Sequence, residues 1–345
     1  MDQMRTALPV TVLTGFLGSG KTTLINYLLD HHQNEKIAIV ENEFGSVGID
    51  GGLLKGKANV EVIELSNGCV CCSVRGELTE ALHDLLAQID SGALQIDRLI
   101  LETTGLADPA PIIQTFFVDE AIRERIVLDA VVTLVDCEHV LKQLDEHRVA
   151  ASQIGFADRL ILTKADRVTE EDKEQLLQRL AQINNRAQIY EAQFGQLPRE
   201  AWVGIQAFDL DDTLNITTGF HLIEPKEQNK IQFKAFSKGK AFKQSWEDDI
   251  SSYVFKAGDM DIKLIGQFME DIIERFGNDM LRYKGVLSIQ AEDRRLIVQG
   301  VHKVVGFDYG SVWLENESRQ SLLVIIGRKL PFDDLEQEFI NSESK

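Results

Sequence analysis

The chain has 345 residues, enough for two hydrophobic cores, with an ordinary globular composition and 36 basic against 55 acidic side chains, a formal net charge of −19. That excess repels nucleic-acid phosphates and anionic lipid, so nucleic acid is disfavoured as a main partner. No N-terminal stretch has a basic end before an apolar run, and no apolar run is long enough to span a bilayer, so a cytoplasmic protein with no membrane attachment is expected.

In chain order, a strand-like run over residues 9–14 leads into Gly15-Phe16-Leu17-Gly18-Ser19-Gly20-Lys21-Thr22-Thr23, and an apolar-periodic helix over 24–29 follows. Strand, G-x-x-x-x-G-K-[ST] loop and helix together read as a phosphate-binding loop, whose backbone N–H groups and helix start converge on one anion. Lys21 is expected along the β- and γ-phosphates of a nucleotide, and the Thr22 hydroxyl in an Mg²⁺ shell.

A second strand, 36–40, ends at Glu41-Asn42-Glu43-Phe44-Gly45, and the Gly-rich stretch Gly48-Ile49-Asp50-Gly51-Gly52 follows. This is the candidate loop for ordering by a γ-phosphate. Its acids suit positioning water, holding Mg²⁺ or holding a second metal, and the sequence does not separate these uses.

After a third strand, 60–64, comes Ser66-Asn67-Gly68-Cys69-Val70-Cys71-Cys72, with three of the four cysteines. Neighbouring cysteines bridge only with strain, so these read as free thiols. Two or three of the sulfurs meet one ion if the chain turns at Asn67-Gly68, and thiolates favour Zn²⁺ or Cu(I). With three thiolates or fewer the ion keeps an exchangeable position, filled by water, by an acid such as Glu41 or by another protein, which suits transfer rather than storage.

A helix over 76–89 precedes the strand 98–101, which ends at Glu102-Thr103-Thr104-Gly105. In phosphate-loop hydrolases such an acid holds the Mg²⁺ shell and the glycine N–H senses the γ-phosphate, which gives Glu102 and Gly105 their expected roles. A short helix at 112–117 leads to the strand 130–135. Asp136 then reads as a helix cap or supporting group, with metal ligation as the alternative, and Cys137 as a small buried hydrophobe.

One helix is predicted over 139–154, then the strand 159–162 and Thr163-Lys164-Ala165-Asp166, which resembles the N-K-x-D base-reading element of GTPases. A carboxylate at Asp166 accepts from guanine N1–H and the 2-amino group together, so the nucleotide is GTP. Thr163 in place of Asn leaves a hydroxyl contact where an amide would stand. A helix over 169–183 and a strand at 188–190 complete the half. Apolar strands alternating with helices predict an α/β phosphate-loop NTPase fold, a mostly parallel sheet covered by helices on both faces.

Taken together, Gly15 to Thr23, Glu41 to Gly45, Cys69 to Cys72, Glu102 to Gly105 and Thr163 to Asp166 resemble the CobW-type family of phosphate-loop GTPases. The resemblance implies a slow GTPase using GTP/GDP and Mg²⁺ that binds Zn²⁺ or a related divalent ion. It further implies a metallochaperone that couples nucleotide turnover to metal delivery to a client protein. Cys69, Cys71, Cys72 and Glu41 are the implied zinc ligands, and Thr22 and Glu102 the magnesium ligands. A homodimer dependent on nucleotide or metal is one assembly open to such a protein. Many relatives carry a His-rich tract, whereas here seven histidines are scattered and only His31 and His32 adjoin. The His31–His32 pair reads as a solvated helix end, and His83 as a distant ligand candidate at best.

The pattern loosens between 209 and 230, which divides the chain into a GTPase domain (1–208), a linker (209–230) and a C-terminal α+β domain (231–345). In the last, a strand at 252–255, a helix over 261–276, strands at 281–289, 296–305 and 322–326, and a helix at 333–339 are expected. Arg282-Tyr283-Lys284-Gly285 and Gln299-Gly300-Val301-His302 resemble family patterns to which no chemistry attaches. A small-molecule kinase would leave Thr163 to Asp166 and the cysteines without a role. The stronger rival is a nucleotide-gated interaction switch.

Overall fold

The computed structural model describes residues 7–31, 35–42, 60–64, 74–208, 222–223, 249–314 and 317–344. They fall into two compact units. Of the described residues, the first holds those up to Gln178, 187–208 and 222–223, and the second holds Arg179–Arg186 and those from 249 onward.

Eight strands build the sheet of the first unit: β1 (Leu8–Gly15), β2 (Ile37–Asn42), β3 (Val60–Glu64), β4 (Arg98–Thr103), β5 (Ile126–Asp136), β6 (Arg159–Thr163), β7 (Gln188–Ala192) and the two-residue β8 (Leu222–Ile223). Their order is β3-β2-β4-β1-β5-β6-β7-β8, and every ladder is parallel. The linking helices are α1 (Lys21–His31), α2 (Val74–Asp90), α3 (Ala110–Val118), α4 (Glu120–Arg125), α5 (Val140–Glu146), α6 (Arg148–Phe156) and α7 (Glu170–Ile183). Successive residues Val10, Thr11, Val12 and Leu13 of β1 are all buried, as are Leu99, Ile100 and Leu101 of β4. Neighbours along a strand face opposite sides, so both faces of the sheet are covered. On one face Leu24, Ile25, Leu28 and Leu29 of α1 pack with Leu13, Ile39, Val132 and Ile161. Because β1 lies between β4 and β5, the chain leaves it toward both sides of the sheet, and the loop after β1 lies at the switch point.

Two expectations are corrected here. The single helix over 139–154 is two, α5 and α6, broken at His147, whose φ of −134° and ψ of 108° are extended. Neither Gly nor Pro marks the break, so the sequence pattern runs through it. The strand at 130–135 also begins earlier, at Ile126, after an unforeseen α4 that Asp119 caps by accepting from the Ile122 N–H at 3.0 Å.

The β1–β5 register slips between Val10 and Thr11, which pair with Leu128 and Ala130 and leave Asp129 as a bulge. Its buried carboxylate accepts from Arg98 Nη1 (2.9 Å) and from the N–H groups of Gly204 (2.9 Å) and Gln206 (2.7 Å). The bulge thereby ties the segment after β7 to the middle of the sheet.

The second unit has β9 (Ile250–Ala257), α8 (Ile262–Phe276), β10 (Met280–Leu287), β11 (Arg294–Val301), β12 (Val304–Val312), β13 (Ser321–Arg328) and α9 (Phe332–Ile340). The strands form an antiparallel sheet in the order β12-β11-β10-β13-β9. Asp261 caps α8 by accepting from Lys263 N–H and Leu264 N–H. The apolar face of that helix, Ile265, Phe268, Met269 and Ile272, packs with Tyr283, Leu323, Ile325 and Phe339. The expected strand over 296–305 is instead the hairpin of β11 and β12, turning at His302 with φ 52°. Most of β12 is partly or wholly exposed, so it carries no clear apolar alternation. The pattern around Tyr283 and Gly300 has a packing basis. The two residues pair across β10 and β11, and a Cβ on Gly300 would stand 2.1 Å from Tyr283 Cζ.

Asp129→Ala leaves Arg98 charged and buried, and is expected to lower stability by about 3–5 kcal/mol, measured as a lower midpoint in urea unfolding.

Candidate functional site

The loop after β1 curls as its glycines require: Gly15, Gly18 and Gly20 have φ of 141°, 73° and 98°. Lys21 opens α1 and is buried, and its Nζ donates to the carbonyls of Gly15 (2.8 Å) and Phe16 (3.3 Å). Its ammonium therefore lies inside the curl, at the positive end of the helix. Ser19 N–H donates to Phe16 O at 3.2 Å and closes the turn. Thr22 is half-buried and Thr23 exposed, whereas Leu17 is 57% exposed.

Glu102 lies one residue from the end of β4, in register with Leu13 of β1, and Gly105 follows in the loop. A Cβ on Gly105 would stand 2.5 Å from the Leu17 nitrogen and 2.7 Å from its Cα, so the two loops touch backbone to backbone. A residue the sequence did not disclose holds this loop in place. Gln153, buried on α6, donates from Nε2 to the carbonyls of Gly105 (3.2 Å) and Ala107 (3.1 Å). The break before that helix serves the other loop, since the His147 ring lies 5.0 Å from that of Phe16. The available signal was an amide amid the apolar run Ala150, Ala151, Ile154 and Phe156, all buried.

Thr163, Lys164 and Asp166 emerge at the end of β6. Thr163 Oγ1 donates to the Ser19 carbonyl at 2.9 Å, so the residue in the Asn position braces the phosphate loop. Lys164 has left-handed backbone angles (φ 55°, ψ 30°), and its Nζ donates to Asp136 Oδ2 at 2.7 Å. Asp136 also accepts from Glu138 N–H at 3.0 Å and lies 3.0 Å from His139 Nδ1. Asp136 thus closes a turn and pairs with Lys164, whereas α5 has His139 at its N-cap with no side-chain cap bond, so the expected helix cap is not formed. Burial pushes its carboxyl up, but the hydrogen bonds from Lys164 and His139 prevail and hold it below the usual 3.8. Asp166 is exposed in the short turn Ala165–Arg167. Cys137 is buried as expected, and burial, with Glu191 and Asp136 nearby, pushes its thiol up to about 12.

Glu41 lies in β2, where the backbone register sets it opposite Glu102 of β4 on one side and Glu64 of β3 on the other. Cys69, Cys71, Cys72 and the stretch 43–52 lie outside the described residues. On either side of the cysteines, β3 ends at Glu64 and α2 begins at Val74. His83 is engaged elsewhere, its Nε2 3.1 Å from Asp119 Oδ2. His31 Nδ1 lies 2.8 Å from the Tyr27 carbonyl at the end of α1. For magnesium the oxygen donors Thr22 and Glu102 are chemically apt, being a hydroxyl and a carboxylate at neighbouring loop ends. Among the described residues no helix is long and apolar enough to cross a membrane.

Residues 9–191 match the family model described as CobW/HypB/UreG, nucleotide-binding domain, and residues 250–342 match the cobalamin synthesis protein cobW C-terminal domain. The zinc chaperone YjiA of Escherichia coli is 40% identical over 333 residues, covering 96% of this chain and 98% of that protein. The zinc chaperone CobW of Pseudomonas aeruginosa is 31% identical, covering 94% and 88%. Among solved structures, Zn(II)-bound YjiA GTPase from E. coli matches with a TM-score of 0.74 at 33% identity, covering 98% of this chain and all of that one.

The Asp136 carboxyl titrates lower folded than unfolded, so its contribution to stability is complete above its ordinary value and is lost as pH falls below about 4. Asp136→Asn is therefore expected to lower stability at pH 7 and to flatten the acid limb of the curve, measured by urea unfolding between pH 7 and pH 3.

Proposed function

The chain belongs to the CobW family, and on that premise we propose that it is a GTP hydrolase that binds zinc and passes it to a client metalloprotein, with metal affinity set by nucleotide state. GTP is the substrate and zinc the cargo. Asp166 reads the guanine edge, while the amides of Gly18 and Gly20 and the ammonium of Lys21 hold the phosphates. Water attacks the γ-phosphorus, the bond to the β-phosphate oxygen breaks, and GDP and phosphate leave with no covalent intermediate. Lys21 moves from the loop carbonyls toward the charge that develops on the transferring group. Thr22 and Glu102 would hold Mg²⁺, which would supply neutralisation of the phosphate charge. Gly105 reports the γ-phosphate through its contact with the loop at Leu17.

The observation that carries the coupling is the register of Glu41 against Glu102. One acid belongs to the proposed zinc ligands and the other to the proposed magnesium ligands, and they are partners on adjacent strands. Like charges opposed across a ladder repel, so a cation at either position relieves the other. Zinc is completed by Cys69, Cys71 and Cys72, whose reduced thiols fit the cytoplasm. Exposure of Leu17 and Leu106, at 57% and 56%, favours a second reading, a nucleotide-gated docking switch without metal transfer.

Lys21→Ala is expected to reduce GTP hydrolysis about 10²–10³-fold, measured by phosphate release. Replacing Cys71 and Cys72 by Ser is expected to abolish tight Zn²⁺ binding while nucleotide binding persists; unchanged zinc affinity favours the docking switch. The deciding experiment titrates Zn²⁺ against a chelator in the free, GDP-bound and GTP-analogue-bound protein. A difference of about tenfold supports coupled delivery, and equal affinities in all three states overturn it.

A further inference from the structure

Phe194 is 86% exposed, more than any other large hydrophobic residue among those described. It also has φ 51°, a left-handed backbone that bulky side chains rarely adopt. Exposure and strain in one aromatic residue require a cause, and packing among the described residues does not supply one.

The loop that carries it is tightly held. Gln196 N–H donates to Gln193 O at 2.9 Å, and the two residues form a β-bridge on either side of Phe194. Gly195, with φ 81°, is seated on α1: a Cβ there would stand 2.7 Å from Tyr27 Cβ and 2.9 Å from the Thr23 carbonyl oxygen. The loop follows β7, which adjoins β6 with Thr163 paired to Ala192. Asp166 lies three residues beyond one member of that pair and Phe194 two residues beyond the other. The loop that carries Phe194 is thus anchored on the first turns of α1, which begin at the phosphate loop, and follows the strand beside the one that leads to Asp166.

We propose that Phe194 is a binding residue for the nucleotide base, its ring stacking on the face of the guanine whose edge Asp166 reads. The proposal rests on the GTP reading above. A purine face accepts an aromatic side chain whatever its edge carries, so Phe194 contributes affinity and Asp166 selectivity. The ring remains exposed in the protein alone because its partner is the ligand.

The test is GDP and GTP-analogue binding with Mg²⁺, by calorimetry, to the full chain and to Phe194→Ala and Phe194→Trp. Phe194→Ala is expected to weaken both ligands about tenfold. Phe194→Trp is expected to keep its affinity and to lose indole emission when GDP is added, beyond any change in the parent protein. If the parent binds GDP and Phe194→Ala binds it equally well, or the new indole does not respond, the stacking proposal is overturned while the GTPase reading stands. If the parent binds neither nucleotide, the GTPase reading falls and this inference with it.

Discussion

The arrangement at the sheet edge depends on the backbone contact between Gly105 and Leu17. Any side chain at 105 would drive the loop after β4 away from the phosphate loop. The two loops can lie so close because β1 and β4 are neighbours in the ladder and turn at the same edge. Around that contact the molecule supplies a rigid shell. Gln153 fixes the carbonyls on the far side of Gly105, Phe16 packs toward His147, and the Thr163 hydroxyl holds the Ser19 carbonyl. Each support comes from a different element, so distortion of one leaves the others to restore the geometry.

Electrostatics and topology act together on the β3-β2-β4 side. Parallel pairing sets Glu64, Glu41 and Glu102 at one register level on three neighbouring strands, in a chain of net charge −19. Such a row is a poor place for an anion and a good one for a divalent cation. At the start of α1 the helix N-terminus and the ammonium of Lys21 supply the opposite field.

The phosphate loop was legible because backbone geometry dictates its residues: glycines at left-handed angles, and a lysine at the helix start. The parallel sheet was legible because strands buried on both faces read as unbroken apolar runs. The break at His147 was not, since no local breaker marks it. β12 was obscured because an exposed edge strand has no apolar alternation. Gln153 and Asp129 escaped notice for a shared reason, as a single polar residue in a buried run declares itself only when its distant partners are known. Asp136 was read as helix cap or support, and only the support is found: one oxygen accepts from Glu138 N–H and the other from Lys164, while the helix that follows starts at His139 without a side-chain cap.

The Thr163 hydroxyl joins the base-reading strand to the carbonyl of Ser19 in the phosphate loop. With one proton it can donate to one acceptor, and the Val135 carbonyl at 3.3 Å is the competing choice. A displacement of the strand end at Thr163 is therefore felt at Ser19, two residues before Lys21, so β6 and the loop after β1 move as one piece through a single shared proton.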